Sequence, residues 1–265
     1  MRLLVVVAHP DDESFGCGSL LAHAAAVGYE TSVLCATRGE AGESRIDTAD
    51  LAAHREVELR DAARILGVGH VRLLDHRDSG MTGDPEPGTL VAADPDVVAA
   101  EIRSVLDEWC PDVVVTLDAS DGHRDHAAIR DAALAAVGSA EHRPEATYLW
   151  CLARSSMTRW AEYMRRHGGG DAYLALAELG TPDDEITTEI DVSAHLPTRW
   201  RAIRAHTSQA SPYDDLPDDL AREFLATDRL RLVAGEDRLS PVRPAQGARQ
   251  PTTGDSVRRA ARPSR

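Results

Sequence analysis

Leu3-Leu4-Val5-Val6-Val7-Ala8-His9-Pro10-Asp11-Asp12-Glu13 is the stretch on which the fold turns. Side chains alternate between the two faces of a strand, and Leu3 to Val7 are apolar at every position, so the run suits a strand buried on both sides. His9 and Pro10 end it and carboxylates follow at once, which puts polar chemistry where the strand stops. A helical pattern then runs from about 13 to 27, with Gly28 as its stop.

The same alternation continues outward. Strands are expected at 31–36, 71–74 and 113–117, and helices at 49–66, 95–109 and 124–137. Beyond them, 147–152, 185–192 and 230–233 read as strands, and 160–166 and 197–207 as helices. This order predicts an α/β, Rossmann-like, mostly parallel sheet with helices on both faces. Such sheets bind ligands at the carboxyl ends of their strands, so the site is expected there. Residues 1–234 read as one domain. Residues 235–265 hold seven Arg and three acidic residues with almost no large apolar side chains. They cannot bury enough surface to offset their ordering entropy, and a disordered tail is expected.

Composition narrows the function. The chain has 265 residues and a net charge of −15, and its 29 basic residues are all Arg. The absence of Lys excludes lysine nucleophiles and a Walker-type phosphate loop. The acid excess argues against general nucleic-acid binding. The four Cys, at 17, 35, 110 and 151, show no metal-ligand spacing, and Cys17, Cys35 and Cys151 read as packing residues. The apolar run before His9 is too short for a signal peptide, and no stretch approaches the ~20 apolar residues of a membrane span. A soluble cytoplasmic protein is expected, with a small-molecule substrate, no nucleic acid and no membrane insertion.

Four polar clusters follow the first four strands: 8–13, 37–42, 75–81 and 118–126. The first and fourth are rich in His and Asp. His9, Asp12 and His126 can converge if the first and fourth strands are neighbours, giving two imidazoles and one carboxylate with an open position, which is a catalytic zinc arrangement. Asp11 could then take a proton from water, and His123, three residues before His126, could face the same cavity. Asp125 is placed to pair with His123. Helix capping by Asp11 or Asp12 is the plain alternative. Gly16-Cys17-Gly18 lacks the third Gly of a dinucleotide loop and is set aside.

Ala8-His9-Pro10-Asp11-Asp12-Glu13 together with His123-x-Asp125-His126 resembles the LmbE-like (PIG-L) family of zinc-dependent N-deacetylases. Thr37-x-Gly39-Glu40-x-Gly42, Arg55-Glu56, Asp78-Ser79-Gly80-Met81 and Ala202-x-x-x-His206-x-Ser208-Gln209 extend the likeness over about residues 3–210. The resemblance implies one Zn2+ per chain on His9, Asp12 and His126. It implies Asp11 as general base, and His123 as acid or electrophile oriented by Asp125. It implies sugar-hydroxyl contacts from Arg55 and Asp78, and support from His206. The expected reaction is hydrolysis of an N-acetyl group on an N-acetylglucosamine-type amino sugar. The rival readings are an amidase cleaving a larger acyl group, such as a mycothiol-conjugate-type cysteinyl amide, and a zinc-dependent sugar-binding protein without turnover.

Overall fold

The computed structural model describes residues 1–168, 171–174 and 178–239. Its elements run β1 (Arg2–Val7), α1 (Asp12–Phe15), α2 (Gly18–Ala26), β2 (Glu30–Cys35), α3 (Leu51–Leu66), β3 (His70–Leu73), α4 (Pro95–Trp109), β4 (Val113–Leu117), α5 (Arg124–Ser139) and β5 (Ala146–Trp150). There follow α6 (Arg154–His167), α7 (Asp171–Leu174), β6 (Thr188–Asp191), α8 (Leu196–Ile203), α9 (Asp218–Leu225) and β7 (Thr227–Gly235). They form one seven-stranded sheet in the order β3-β2-β1-β4-β5-β7-β6. The strands from β3 across to β5 are parallel, while β7 runs antiparallel to both β5 and β6. The expected mostly parallel α/β sheet is therefore the one observed.

The uniform apolar run of β1 is explained by its surroundings. Leu3, Val5 and Val7 join Leu20, Leu59 and Leu66 in the core under α2 and α3. Leu4, Val6 and Ala8 join Ile102, Leu106 and Ile129 under α4 and α5. Both faces of the strand are covered, so no polar residue is tolerated on either. Local signals fix the helix ends: the Asp50 carboxylate accepts the Ala53 N–H at 2.9 Å, and Gly67 ends α3 at φ 82°.

Three expectations change. The helix foreseen at 13–27 breaks at Gly16-Cys17 into α1 and α2, because the buried Arg199 side chain inserts there. Its Nε donates to the Ser14 carbonyl at 3.0 Å and its Nη2 to the Gly16 carbonyl at 2.6 Å. The helix foreseen at 160–166 starts earlier, at Arg154, and α9 has no counterpart in the sequence reading. The described chain also continues past the expected boundary at 234. Tyr148 Oη donates to Asp237 Oδ1 at 2.7 Å and accepts the Arg238 N–H at 2.6 Å. Residues 240–265 of the expected tail lie outside the described residues.

Candidate active site

The strand order reverses between β1 and β4, which pair directly, with Val6 opposite Thr116. Their carboxyl-end loops diverge to opposite sides of the sheet and leave a crevice, the usual ligand position in an open parallel sheet. Residues over a hundred positions apart meet in it.

Three imidazoles form its floor. One ligand atom each of His9, His123 and His126 lie within 4.8 Å of one another. The ring centroids of His9 and His123 are 4.7 Å apart, and those of His123 and His126 also 4.7 Å. Asp12 stands between two of them: its Oδ1 is 3.2 Å from His126 Nε2 and its Oδ2 is 3.5 Å from His9 Nδ1. Asp12 Oδ2 also accepts the backbone N–H groups of Ala8 and His9, at 3.1 and 2.8 Å, and so closes the loop after β1. Asp12 thus lies against both His9 and His126, and His123 stands beside them.

Carboxylates fix the ring orientations. Asp121 Oδ2 lies 2.7 Å from His126 Nδ1. Asp125 Oδ2 lies 3.2 Å from His9 Nε2 and accepts the Ser79 N–H at 2.9 Å. Here the expectation is corrected: the Asp125 carboxylate serves His9 and not His123. Helix geometry is the reason, since His123 is the N-cap of α5 and its own Nδ1 accepts the Asp125 N–H at 3.2 Å. Burial would depress the imidazoles of His9 and His126. Asp12, Asp125 and Asp78 instead hold His9 well above its usual range, and Asp12 and Asp121 push His126 up to about 10. His123 is lowered to about 4 by burial and by the neighbouring His9 and His126.

Asp11 sits beside this cluster with φ 115°, a strained backbone for a residue with a Cβ. It is the N-cap position of α1, yet its side chain makes no capping bond. The carboxylate instead accepts from Arg55 Nη2 at 2.9 Å. Burial raises the Asp11 carboxyl to about 6 against the pull of Arg55. Arg55 also donates to the Gly39 and Pro10 carbonyls. Its terminal nitrogens thus hold two loop carbonyls and Asp11, while its side chain also lines the cavity. A Cβ on Gly39 would collide with the Arg55 guanidinium, and Gly39 itself has φ 66°, so the glycines of the 37–42 motif make room for this arginine.

Below Asp11, Glu13 Oε2 accepts the Asp11 N–H at 2.9 Å, while its Oε1 lies 2.7 Å from His206 Nε2. His206 therefore supports the loop through Glu13. Asp78 is buried with Oδ1 3.5 Å from His9 Nε2 and faces the cavity. The interaction with His9 holds its carboxyl below the usual range although burial opposes this. Sequence reasoning did not single out Asp121, Glu13 or Arg199. Asp121 stood inside the quoted 118–126 cluster, but nothing in its spacing distinguishes an orienting carboxylate from a loop residue. Cys17, Cys35 and Cys151 are buried free thiols, as expected of packing residues.

The crevice opens into a cavity of about 510 Å3, which His9, Asp11, Asp78, His123 and His126 help line. The donor set suits a divalent metal ion: one ligand atom each of His9, His123 and His126 converge, as do those of His9, Asp78 and Asp125, and Asp125 Oδ1 is buried with no hydrogen-bond partner. Among the described residues no helix is long and apolar enough to cross a membrane.

Comparison with known proteins identifies the family. Residues 4–137 match the family described as GlcNAc-PI de-N-acetylase (PIG-L). The chain is 35% identical over 250 residues to the 1D-myo-inositol 2-acetamido-2-deoxy-alpha-D-glucopyranoside deacetylase of Kineococcus radiotolerans, over 79% of this chain and 69% of that protein. The deacetylase of the same description from Geodermatophilus obscurus is 34% identical over 89% of this chain and 92% of its own. Among solved structures, the conserved protein TT1542 from Thermus thermophilus superimposes with a TM-score of 0.59 at 25% identity, covering 93% of this chain and 99% of that one. On its motifs, its fold and these relatives, the chain belongs to the PIG-L (LmbE-like) de-N-acetylase family.

Proposed function

We propose that this protein hydrolyses the N-acetyl group of a 2-acetamido-2-deoxyglucoside, releasing acetate and the free amine. The observation that carries the reading is the Asp11 carboxylate, held by Arg55 Nη2 at 2.9 Å at the edge of the cluster of His9, His123, His126 and Asp12. A divalent ion held by His9, Asp12 and His126, zinc in our reading, polarises the acyl carbonyl and acidifies water when bound.

The chain's own groups then divide the proton work. Asp11, ionised near neutral pH, takes the proton of the attacking water. Because His123 Nδ1 accepts the Asp125 N–H, a neutral His123 carries its proton on Nε2 and donates that hydrogen bond to the oxyanion. Asp11 returns its proton to the amide nitrogen as the C–N bond breaks. Asp125 and Asp121 are positioning residues that orient His9 and His126. Arg55 aims Asp11, and Asp78 offers a carboxylate to a sugar hydroxyl.

The test is acetate release from N-acetylglucosaminides by metal-loaded protein, with the metal quantified in the same sample. We expect many turnovers per chain, loss of activity with chelator, and recovery on adding Zn2+. Ligand binding without acetate release would overturn the reading.

A further inference from the structure

Arg124 is the one position that the motif His123-x-Asp125-His126 leaves open, and its side chain is neither a metal ligand nor a proton carrier in the reading above. It leaves the first turn of α5 and reaches the loop that follows β3. There its Nε donates to the Gly80 carbonyl at 2.7 Å, its Nη1 to the Gly83 carbonyl at 2.7 Å and its Nη2 to the Thr82 carbonyl at 3.2 Å. Among the described residues no other donor reaches these carbonyls. A guanidinium presents its N–H groups in a rigid planar fork, so it fixes the orientation of the carbonyls as well as their place.

The consequence runs through Gly80. Its φ of 63° lies in the left-handed region that glycine adopts without strain. Its carbonyl is bound by Arg124, while its N–H donates to Asp78 Oδ1 at 2.8 Å. Asp78 Oδ2 accepts no hydrogen bond from the described residues, and Asp78 and Met81 both line the cavity, whereas Arg124 does not. The first turn of α5 also pins the start of this segment: Asp125 Oδ2 accepts the Ser79 N–H at 2.9 Å, and Ser79 Oγ accepts the Val91 N–H at 3.0 Å. One helix end therefore carries His123 and His126 and also sets the loop that bears Asp78.

We infer that Arg124 is a positioning residue for substrate binding: through Gly80 it aims the free oxygen of Asp78 at a sugar hydroxyl and holds Met81 against the cavity, without touching the substrate itself. The inference rests on the deacetylase reading above, and on the hydroxyl contact of Asp78 that belongs to it. A hydrogen bond from a hydroxyl to a carboxylate is strong only at the right length and angle, so a loop free to turn at Gly80 forfeits it. The metal ligands do not hang on that loop in the same way. Asp121 orients His126 and Asp125 orients His9, both from the α5 side. Loss of the Arg124 side chain therefore falls on substrate binding, and leaves the metal and the proton transfers in place.

The experiment measures KM and kcat for acetate release from methyl 2-acetamido-2-deoxyglucoside, which carries no charge for Arg124 to attract, and metal affinity by chelator competition. The proteins compared are the wild type, Arg124→Gln, Arg124→Lys, Asp78→Asn and the double variant of Arg124→Gln with Asp78→Asn. Arg124→Gln should raise KM about tenfold, as a misaimed hydrogen bond to a charged group implies, with kcat and metal affinity within about twofold of the wild type. Arg124→Lys, which can still reach one carbonyl, should fall between the two. Because Arg124 acts through Asp78, adding Arg124→Gln to Asp78→Asn should raise KM little further. If Arg124→Gln fails to fold, Arg124→Lys completes the same cycle with Asp78→Asn. An unchanged KM, additive KM effects in the double variant, or a loss confined to kcat or to metal affinity overturns the inference and leaves deacetylation standing. No acetate from the metal-loaded wild type removes the deacetylase reading, and this inference with it.

Discussion

Asp125 Oδ2 lies 3.2 Å from His9 Nε2, so the carboxylate two residues after His123 serves a histidine 116 positions away and not its neighbour. The bond crosses from α5 to the loop after β1 and locks the ring of a proposed metal ligand. Partners of this kind raise a ligand's basicity and fix its orientation. Asp125→Asn should therefore weaken metal binding by about 10–100-fold, measured by competition with a chromophoric chelator. If Asp125 acted on His123 instead, metal affinity would stay put and only the pH–rate profile would move.

Asp11→Asn should retain the metal and lose turnover, whereas His9→Ala should lose both. The asparagine keeps an acceptor for Arg55 but cannot take a proton from water. The loss expected from removing a general base is about 10²–10⁴-fold in kcat/KM. Metal content by elemental analysis, paired with acetate release, separates the two variants. Full turnover in Asp11→Asn would exclude the residue from proton transfer.

Arg55 gives a pH test with a definite sign. Burial raises the Asp11 carboxyl to about 6, and Arg55 is the largest influence holding it down. Removing that charge in Arg55→Met raises the Asp11 pKa further, so the acid limb of the kcat/KM profile should move to higher pH. A displacement of about one unit would correspond to ~1.4 kcal/mol of lost interaction. A higher KM with an unmoved acid limb would instead favour contact between Arg55 and the sugar.

How much of this was legible in the sequence differs between parts of the molecule. The parallel sheet could be read because strands covered on both faces must be apolar throughout, as β1 is. The meeting of His9, Asp12 and His126 followed from one topological condition, that β1 and β4 be neighbours. The break between α1 and α2 was not legible, because its cause, Arg199, lies far along the chain on α8. For the same reason Asp125 was paired with the wrong histidine: adjacency in sequence suggested His123, while helix geometry turned the carboxylate to β1. The helix at 218–225 escaped the reading because it is only eight residues long, although Leu220, Ala221, Phe224 and Leu225 recur at helical spacing on its buried face.

Glu58 should give the fold an acid-sensitive clasp. Its carboxylate accepts from Ser208 Oγ at 2.6 Å, the Ser208 N–H at 2.8 Å and Thr207 Oγ1 at 2.7 Å. Burial opposes ionisation, but these donors prevail and hold its pKa below the usual carboxylate value. The folded-state pKa is the lower one, so the stabilisation is fully present above the unfolded pKa of about 4.3 and fades as pH falls through the folded value. Glu58→Gln should flatten that part of the stability curve, seen as a smaller drop in Tm between pH 5 and 3.

Arg199 supplies the strictest test of the architecture. It is wholly buried, its Nη1 is 3.5 Å from Asp228 Oδ1, and it holds the carbonyls that the break at Gly16 leaves free. Removing one partner of a buried pair strands the other charge, at a cost of about 3–5 kcal/mol. Arg199→Met should therefore lower the unfolding free energy by that order in a denaturant titration. Asp228→Asn in the same background should recover part of it, because burial already raises the Asp228 carboxyl and the amide carries no charge to strand. Activity should not return with stability, since the carbonyls of Ser14 and Gly16 still lack their donor and the turn that carries Asp11 and Asp12 loosens. Full recovery of both would mean that Arg199 acts only through its charge and does not shape the loop.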